Sequence, residues 1–154
     1  MIRMDKPVIG WREWVELPAL GIGRIKAKID TGARTSAIHA FDIEVSQKAG
    51  QDWVRFAIHP YQKNDTEIHT CTCPVRDIRV ITNSGGTREK RVVIETQLTI
   101  GDLSWPIEMT LTNRDEMGFR MLLGRTAMKG RFLVDPGRSF CIKNPEAHHS
   151  YPPT

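Results

Sequence analysis

The chain has 154 residues, 40% of them hydrophobic and 26% charged, with a formal net charge of +4. That length supports one domain with a real core and falls short of two ordinary ones. Apolar runs of only a few residues exclude a membrane-spanning helix, and the odd set Cys71, Cys73 and Cys141 suits reduced thiols better than a disulfide framework.

The opening residues, Met1-Ile2-Arg3-Met4-Asp5-Lys6-Pro7, lack the apolar segment of a secretory signal, so a cytoplasmic location is expected. Strand patterns follow. Trp11 to Leu17 reads as a first strand. Ile25, Ala27 and Ile29 then alternate with Arg24, Lys26 and Lys28 and lead straight into Asp30. His39, Phe41, Ile43 and Val45 alternate next, and Trp53 to Ile58 is apolar-rich. Val75 to Ile81 and Val92 to Ile100 flank the polar turn Asn83-Ser84-Gly85-Gly86, a hairpin signal. Gly101-Asp102 turns the chain into Leu103 to Leu111, and Met121-Leu122-Leu123 is a short apolar strand. Arg125 to Lys129 is the helical stretch, closed by Gly130. Leu133-Val134 and Phe140-Cys141-Ile142 flank the turn Asp135-Pro136-Gly137. The expected fold is all-β with one short C-terminal helix, as a single domain over 1–143. The polar, proline-rich residues 144–154 are expected to form a flexible tail.

The chemistry-bearing motif is Asp30-Thr31-Gly32 at the end of an alternating strand. As a bare tripeptide it also suits a plain turn, since Asp and Gly favour turns. Its surroundings, Ala27-Lys28-Ile29-Asp30-Thr31-Gly32-Ala33-Arg34-Thr35-Ser36-Ala37-Ile38, resemble the active-site loop of retroviral-type aspartic proteases, the retropepsins. Met121-Leu122-Leu123-Gly124-Arg125-Thr126-Ala127-Met128 resembles that family's apolar-pair, Gly, Arg and short-helix element. More narrowly, Gly10-Trp11-Arg12-Glu13-Trp14-Val15, the Asp30 string, Leu111-Thr112-Asn113-Arg114-Asp115 and Leu123-Gly124-Arg125-Thr126-Ala127 resemble the bacterial retropepsin-like endopeptidases of the RimB type, over about residues 8 to 142. That family is also labelled ATP-dependent zinc protease.

The resemblance implies a closed acid-protease barrel. Asp30 is its catalytic carboxylate, and Thr31, Gly32, Ala33 and Ser36 support the loop. Leu122, Leu123, Gly124 and Arg125 pack beneath it. Ser84, Gly85 and Gly86 take the place of the flap tip; an ordinary surface hairpin is the alternative. Retroviral enzymes usually carry an acid where this chain has Arg34. That residue either binds an acidic substrate side chain or pairs with an acid such as Asp42 or Asp135. One Asp-Thr-Gly implies a homodimer, with two Asp30 side chains sharing a proton. Asp135, in Leu133-Val134-Asp135-Pro136-Gly137, is the rival second carboxylate within the chain. Ala33 has no hydroxyl to stabilise an ionised dyad, so activity is expected at mildly acidic to neutral pH.

Members of the RimB type are associated with RimK-type ATP-grasp glutamate ligases, which implies an acidic peptide or glutamate-modified protein as substrate. The chain has no His-Glu-x-x-His string and no Gly-rich phosphate loop, so neither metal nor nucleotide cofactor is expected. His69, Cys71 and Cys73 share one strand face, which zinc tolerates, but half-buried strand positions account for them more simply. The basic residues are scattered without a known RNA-module motif, so direct nucleic-acid binding is not expected. The competing functions are a non-catalytic binding or adaptor module on the same fold and a metal-dependent hydrolase.

Overall fold

Alternation decides which face of each strand is buried. In the computed structural model, which describes residues 6–61, 65–82, 85–113 and 118–142, strand β2 (Arg12–Leu17) turns Glu13, Val15 and Leu17 inward. Strand β3 (Ile22–Asp30) buries Ile25, Ala27 and Ile29 and leaves Arg24, Lys26, Lys28 and Asp30 on its outer face. The long pair β9 (Arg88–Ile100) and β10 (Leu103–Thr112) turns at Gly101, whose φ of 58° is left-handed. Strands β4 (Ser36–His39) and β11 (Met121–Gly124) are short and wedge between β10 and β3.

These strands pair in the order β10, β4, β11, β3, β2, β9, and β9 pairs back to β10, so the hydrogen bonding runs around a six-strand ring. Strand β8 (Asp77–Thr82) hangs from the outer part of β9, Asp77 opposite Val93 and Thr82 opposite Arg88. The chain is thus mostly β, with one short helix, α1 (Arg125–Met128). A separate three-stranded sheet, β5 (Phe41–Lys48), β6 (Gln51–Ile58) and β7 (His69–Pro74), occupies the middle of the chain. It shares the ring's core, because Val54, Phe56 and Ile58 are fully buried among the cluster that holds Ile25, Ile94 and Leu123.

Two expectations change. The alternation from His39 to Val45 is not one strand. The chain leaves β4 at the buried Ala40 and enters β5 in another sheet, with Asp42 at φ 52° and a shifted register between Phe41 and Glu44. A period-2 pattern survives such a bend, so alternation alone does not reveal it. Phe140-Cys141-Ile142 is not a strand either. Phe140 has φ 51° and donates its amide to the Arg12 carbonyl at 3.0 Å. Cys141 and Ile142 donate theirs to the fully buried Glu13 carboxylate, at 2.8 and 3.2 Å. Those amides are satisfied by a side chain rather than a ladder. Short strands β1 (Val8–Ile9) and β12 (Leu133–Val134) pair in parallel, and the first of them carried no sequence signal. The expected tail, 144–154, lies outside the described residues.

Glu13 also accepts the Gly10 amide at 2.7 Å. A Cβ at Gly10 would lie 2.1 Å from the Arg138 carbonyl oxygen, so the two strands of chain touch backbone to backbone there. Glu13→Ala leaves one buried and two part-buried amides without their acceptor and is expected to destabilise the fold by about 3 kcal/mol, read from chemical denaturation. A change under half that figure would show that Glu13 is not the clasp.

A second tie crosses the sheet. Arg79 on β8 donates from both terminal nitrogens to Glu108 on β10, at 2.8 and 3.0 Å, and from Nε to Asp77 at 2.7 Å. These bonds hold both carboxyls below their ordinary range. Their contribution is therefore full above the ordinary carboxylate pKa of about 4 and is lost as pH falls through the depressed values. Acidification from pH 6 to 3 is expected to release β8 first, seen as amide exchange rising in β8 while β3 and β11 stay protected. Simultaneous loss in all three would refute a local tie.

Candidate active site

The site begins where β3 ends. Ile29 is buried and Asp30 is half-buried, so the strand delivers a carboxylate to the surface from a fixed base. Two residues on, the Gly32 amide donates to Asp30 Oδ1 at 2.9 Å, and the Ala33 amide to the Asp30 carbonyl at 3.3 Å. The side chain is held by its own turn.

The loop is locked from below by the second motif. Strand β11 runs parallel to β3, with Leu123 beside Ile29 and Gly124 beside Asp30. Leu123 is fully buried, while Leu122 is half-buried and lines the cleft above. A Cβ at Gly124 would fall 2.6 Å from the Thr35 carbonyl carbon and 2.9 Å from the Ser36 nitrogen. Only glycine allows the two backbones to cross that closely. At the crossing the Gly124 amide donates to the buried Ser36 hydroxyl at 2.9 Å. The Arg125 amide donates to the Ala33 carbonyl at 2.7 Å, and Thr126 donates to the Arg34 carbonyl from its amide and its hydroxyl, at 3.1 and 2.8 Å. Arg125 Nη1 donates to the Thr31 carbonyl at 3.0 Å. Among the described residues Arg125 thus binds a main-chain oxygen of the loop and pairs with no carboxylate.

The structure thus brings Asp30, Thr31, Gly32, Ala33, Ser36, Leu122, Leu123, Gly124 and Arg125 to one place. The Thr31 hydroxyl is exposed and makes no hydrogen bond among the described residues. Arg34 is exposed at the cleft, and no described carboxylate pairs with it, so neither Asp42 nor Asp135 serves as its partner. Asp135 does not line the cleft. It accepts the Gly137 amide at 3.0 Å in its own turn, and its backbone is tied to Ile9.

The cleft has a volume of about 940 Å³. Asp30, Arg34 and Lys28 line one side, and Arg79 to Thr82 of β8 line the other. The hairpin of β8 and β9 therefore stands over the loop. Of its tip, Gly85 and Gly86 are described, with Gly86 exposed at φ 85°; Ser84 lies outside the described residues, as do Arg114 and Asp115. The wall is wired to the loop. Arg91 on β9 is buried, pairs with Glu89 at 2.7 Å and reaches the Thr110 hydroxyl at 3.4 Å; that hydroxyl donates to the Ser36 carbonyl at 3.1 Å. Lys28, Arg79 and Glu108 escaped the sequence reading. Lys28 carried a usable signal, since it stands two residues before Asp30 on the same strand face.

His69, Cys71 and Cys73 do share the inner face of β7. Burial pushes the Cys73 thiol up to about 11 and raises Cys71 as well, which opposes thiolate formation. A Cβ on Gly21 would sit 2.8 Å from His69 Nδ1, so the ring packs against that turn. Among the described residues no three His, Cys, Asp or Glu side chains converge as a metal site would require.

Comparison with known proteins fits this arrangement. A crystal structure of the Legionella pneumophila protein Lpg0085, of unknown function, superposes with a TM-score of 0.71 at 26% identity, covering 88% of this chain and 98% of that one. A probable alpha-L-glutamate ligase of Shewanella pealeana is 49% identical over 138 residues, and one of Desulfotalea psychrophila is 50% identical over 131. These matches take in 90% and 85% of this chain but only 30% and 28% of the relatives, so the chain spans under a third of their length. The model of the retropepsin-like aspartic endopeptidase RimB matches residues 8–145, and the chain belongs to this RimB-like family.

Proposed function

We propose that the chain is one protomer of an aspartic endopeptidase that completes its site as a homodimer, Asp30 facing Asp30 across a two-fold axis. The observation that carries this reading is a carboxylate fixed at a cleft where no described residue offers it a mate. Glu108, the other acid lining the cleft, is engaged on both oxygens by Arg79. A second protomer supplies the missing group. On this reading the six-strand ring serves as the closed barrel, residues 1–143 are its single domain, the exposed Thr31 hydroxyl braces the opposite loop, and the enzyme works in the cytoplasm.

Two carboxylates held close together cannot both ionise, so they share one proton. The ionised member draws a proton from water as the water attacks the peptide carbonyl. The protonated member hydrogen-bonds the carbonyl oxygen as negative charge develops there. The proton taken from water then passes to the leaving nitrogen.

The substrate proposed is an acidic, glutamate-rich peptide or protein tail. Lys28 and Arg34 line the cleft beside Asp30, and the relatives that contain this region are named for adding glutamate. A RimK-type ligase is the proposed pathway partner. That same association favours one second reading, a non-catalytic module that holds a glutamate tail for a ligase.

Asp30→Asn separates the two. It is expected to lower cleavage of a glutamate-tailed peptide by at least ~10³-fold, followed by mass spectrometry, while sedimentation still shows a dimer. Full activity in the variant would remove Asp30 from the mechanism. A wild-type protein that binds the peptide without ever cutting it would leave the holding module.

A further inference from the structure

Beyond the cleft, the outer face of β3 carries a row of cations. Lys28, Lys26 and Arg24 follow Asp30 at every second position, all half-buried on the same face. On the neighbouring strand Arg12 stands directly across from Lys28, and Trp14 across from Lys26, with Glu16 at the far end. Like charges placed directly opposite on adjacent strands are destabilising. Among the described residues no carboxylate pairs with Arg12, Arg24 or Lys28. The Nε of Arg24 is buried without a hydrogen-bond partner.

Arg12, Arg24 and Lys26 stand over aromatic rings, while Lys28, among the described residues, does not. Arg24 lies 4.1 Å over Trp14, Arg12 lies 4.7 and 4.8 Å from the Trp11 and Phe140 rings, and Lys26 is 5.5 Å from Phe119. Phe140 is itself stacked on Trp14 with centroids 5.5 Å apart. Aromatic seats of this kind fix the positions of Arg12 and Arg24 without neutralising them. One face of each of these rings is taken by a cation or a neighbouring ring, which leaves less of it for a stacking nucleobase.

Taken with the endopeptidase reading, on which it rests for its substrate, we infer that this face is a rail that binds the part of an acidic chain lying outside the cleft. An extended peptide rises about 3.3 Å per residue, so alternate side chains repeat at about 6.6 Å on one face. Lys28, Lys26 and Arg24 repeat at the same spacing. A run of consecutive glutamates lying along β3 meets one cation with every second carboxylate. From Asp30 to Arg24 the rail is about 20 Å long, the reach of six extended residues. Arg12 and Lys28, which repel each other when empty, take a carboxylate between them. The rail thereby selects for tail length, which the cleft alone does not.

The test is binding rather than cleavage, so it stands apart from the catalytic assignment. Asp30→Asn protein, which keeps any peptide intact, is titrated with oligo-α-L-glutamate peptides of two and eight residues at low and moderate salt. The octamer is expected to bind at least tenfold tighter, with an affinity that falls steeply as salt rises. Adding Arg24→Gln and Arg12→Gln is expected to weaken the octamer at least fivefold and the dipeptide less than twofold, while Arg24→Lys restores most of the loss. Circular dichroism confirms that each variant is folded; if the double variant is not, Lys28→Gln and Arg24→Gln are read singly against the same criterion. Equal affinity for the two lengths, an octamer unaffected by the charge changes, or an oligouridylate that outcompetes the octamer would each overturn the rail. Octamer binding that passes these criteria in a wild-type protein with no peptidase activity would sustain the rail and sink the catalytic reading.

Discussion

A backbone crossing with no room for a methyl group organises this molecule. Gly124 passes so close to Thr35 and Ser36 that its missing side chain is the condition for the contact. Everything at the site follows from that approach. Strand β11 can lie beside β3, the Gly124 amide can reach the Ser36 hydroxyl, and the next two residues can hold the loop carbonyls of Ala33 and Arg34. The Asp30 turn is thus gripped on one side by its own amides and on the other by a strand from the far end of the sequence. A carboxylate mounted this way loses little freedom on meeting a substrate, which is what positional precision in catalysis requires.

Charge is distributed unevenly around this frame. Most acids that face the interior are committed: Glu13 to three amides, Glu89 to Arg91, and Glu108 to Arg79. Among the described residues Arg24, Lys28 and Arg34 have no carboxylate matched to them in this way. A net charge of +4 looks bland when spread over the surface, but here part of it is gathered beside one carboxylate. Clustered charge of one sign beside low-dielectric walls concentrates the field there, where a scattered excess would be screened.

Much of the site was legible because its residues are constrained by local chemistry. Asp30-Thr31-Gly32 marks a turn at a strand end, and Leu122-Leu123-Gly124 marks a buried strand with a close approach. The alternation of β2, β3, β9 and β10 was equally plain, since each has one face in the core. What stayed hidden depends on partners distant in sequence. Of the sheet of β5, β6 and β7 only the apolar middle strand was plain; β5 was run together with β4, and β7 showed only as the alternation of His69, Cys71 and Cys73, because β5 is exposed over most of its length and β7 is half polar. The Glu13 clasp was missed although its signal was present: alternation puts Glu13 on the same face as Val15 and Leu17, and a carboxylate there must find donors. The extended strap at 140–142 imitates a strand in its composition and differs only in what its amides bond.

The grip on the loop also sets a schedule. Gly124 and Ser36 are separated by 88 positions, and Arg125 and Thr31 by 94. Contacts of such long range form late, after the intervening chain has collapsed. During synthesis the Asp30 turn emerges early, yet its lower clamp does not exist until the ribosome has passed residue 126. For most of its own production the polypeptide carries the motif without its clamp, and the carboxylate is fixed in place only once the C-terminal strand has joined the ring.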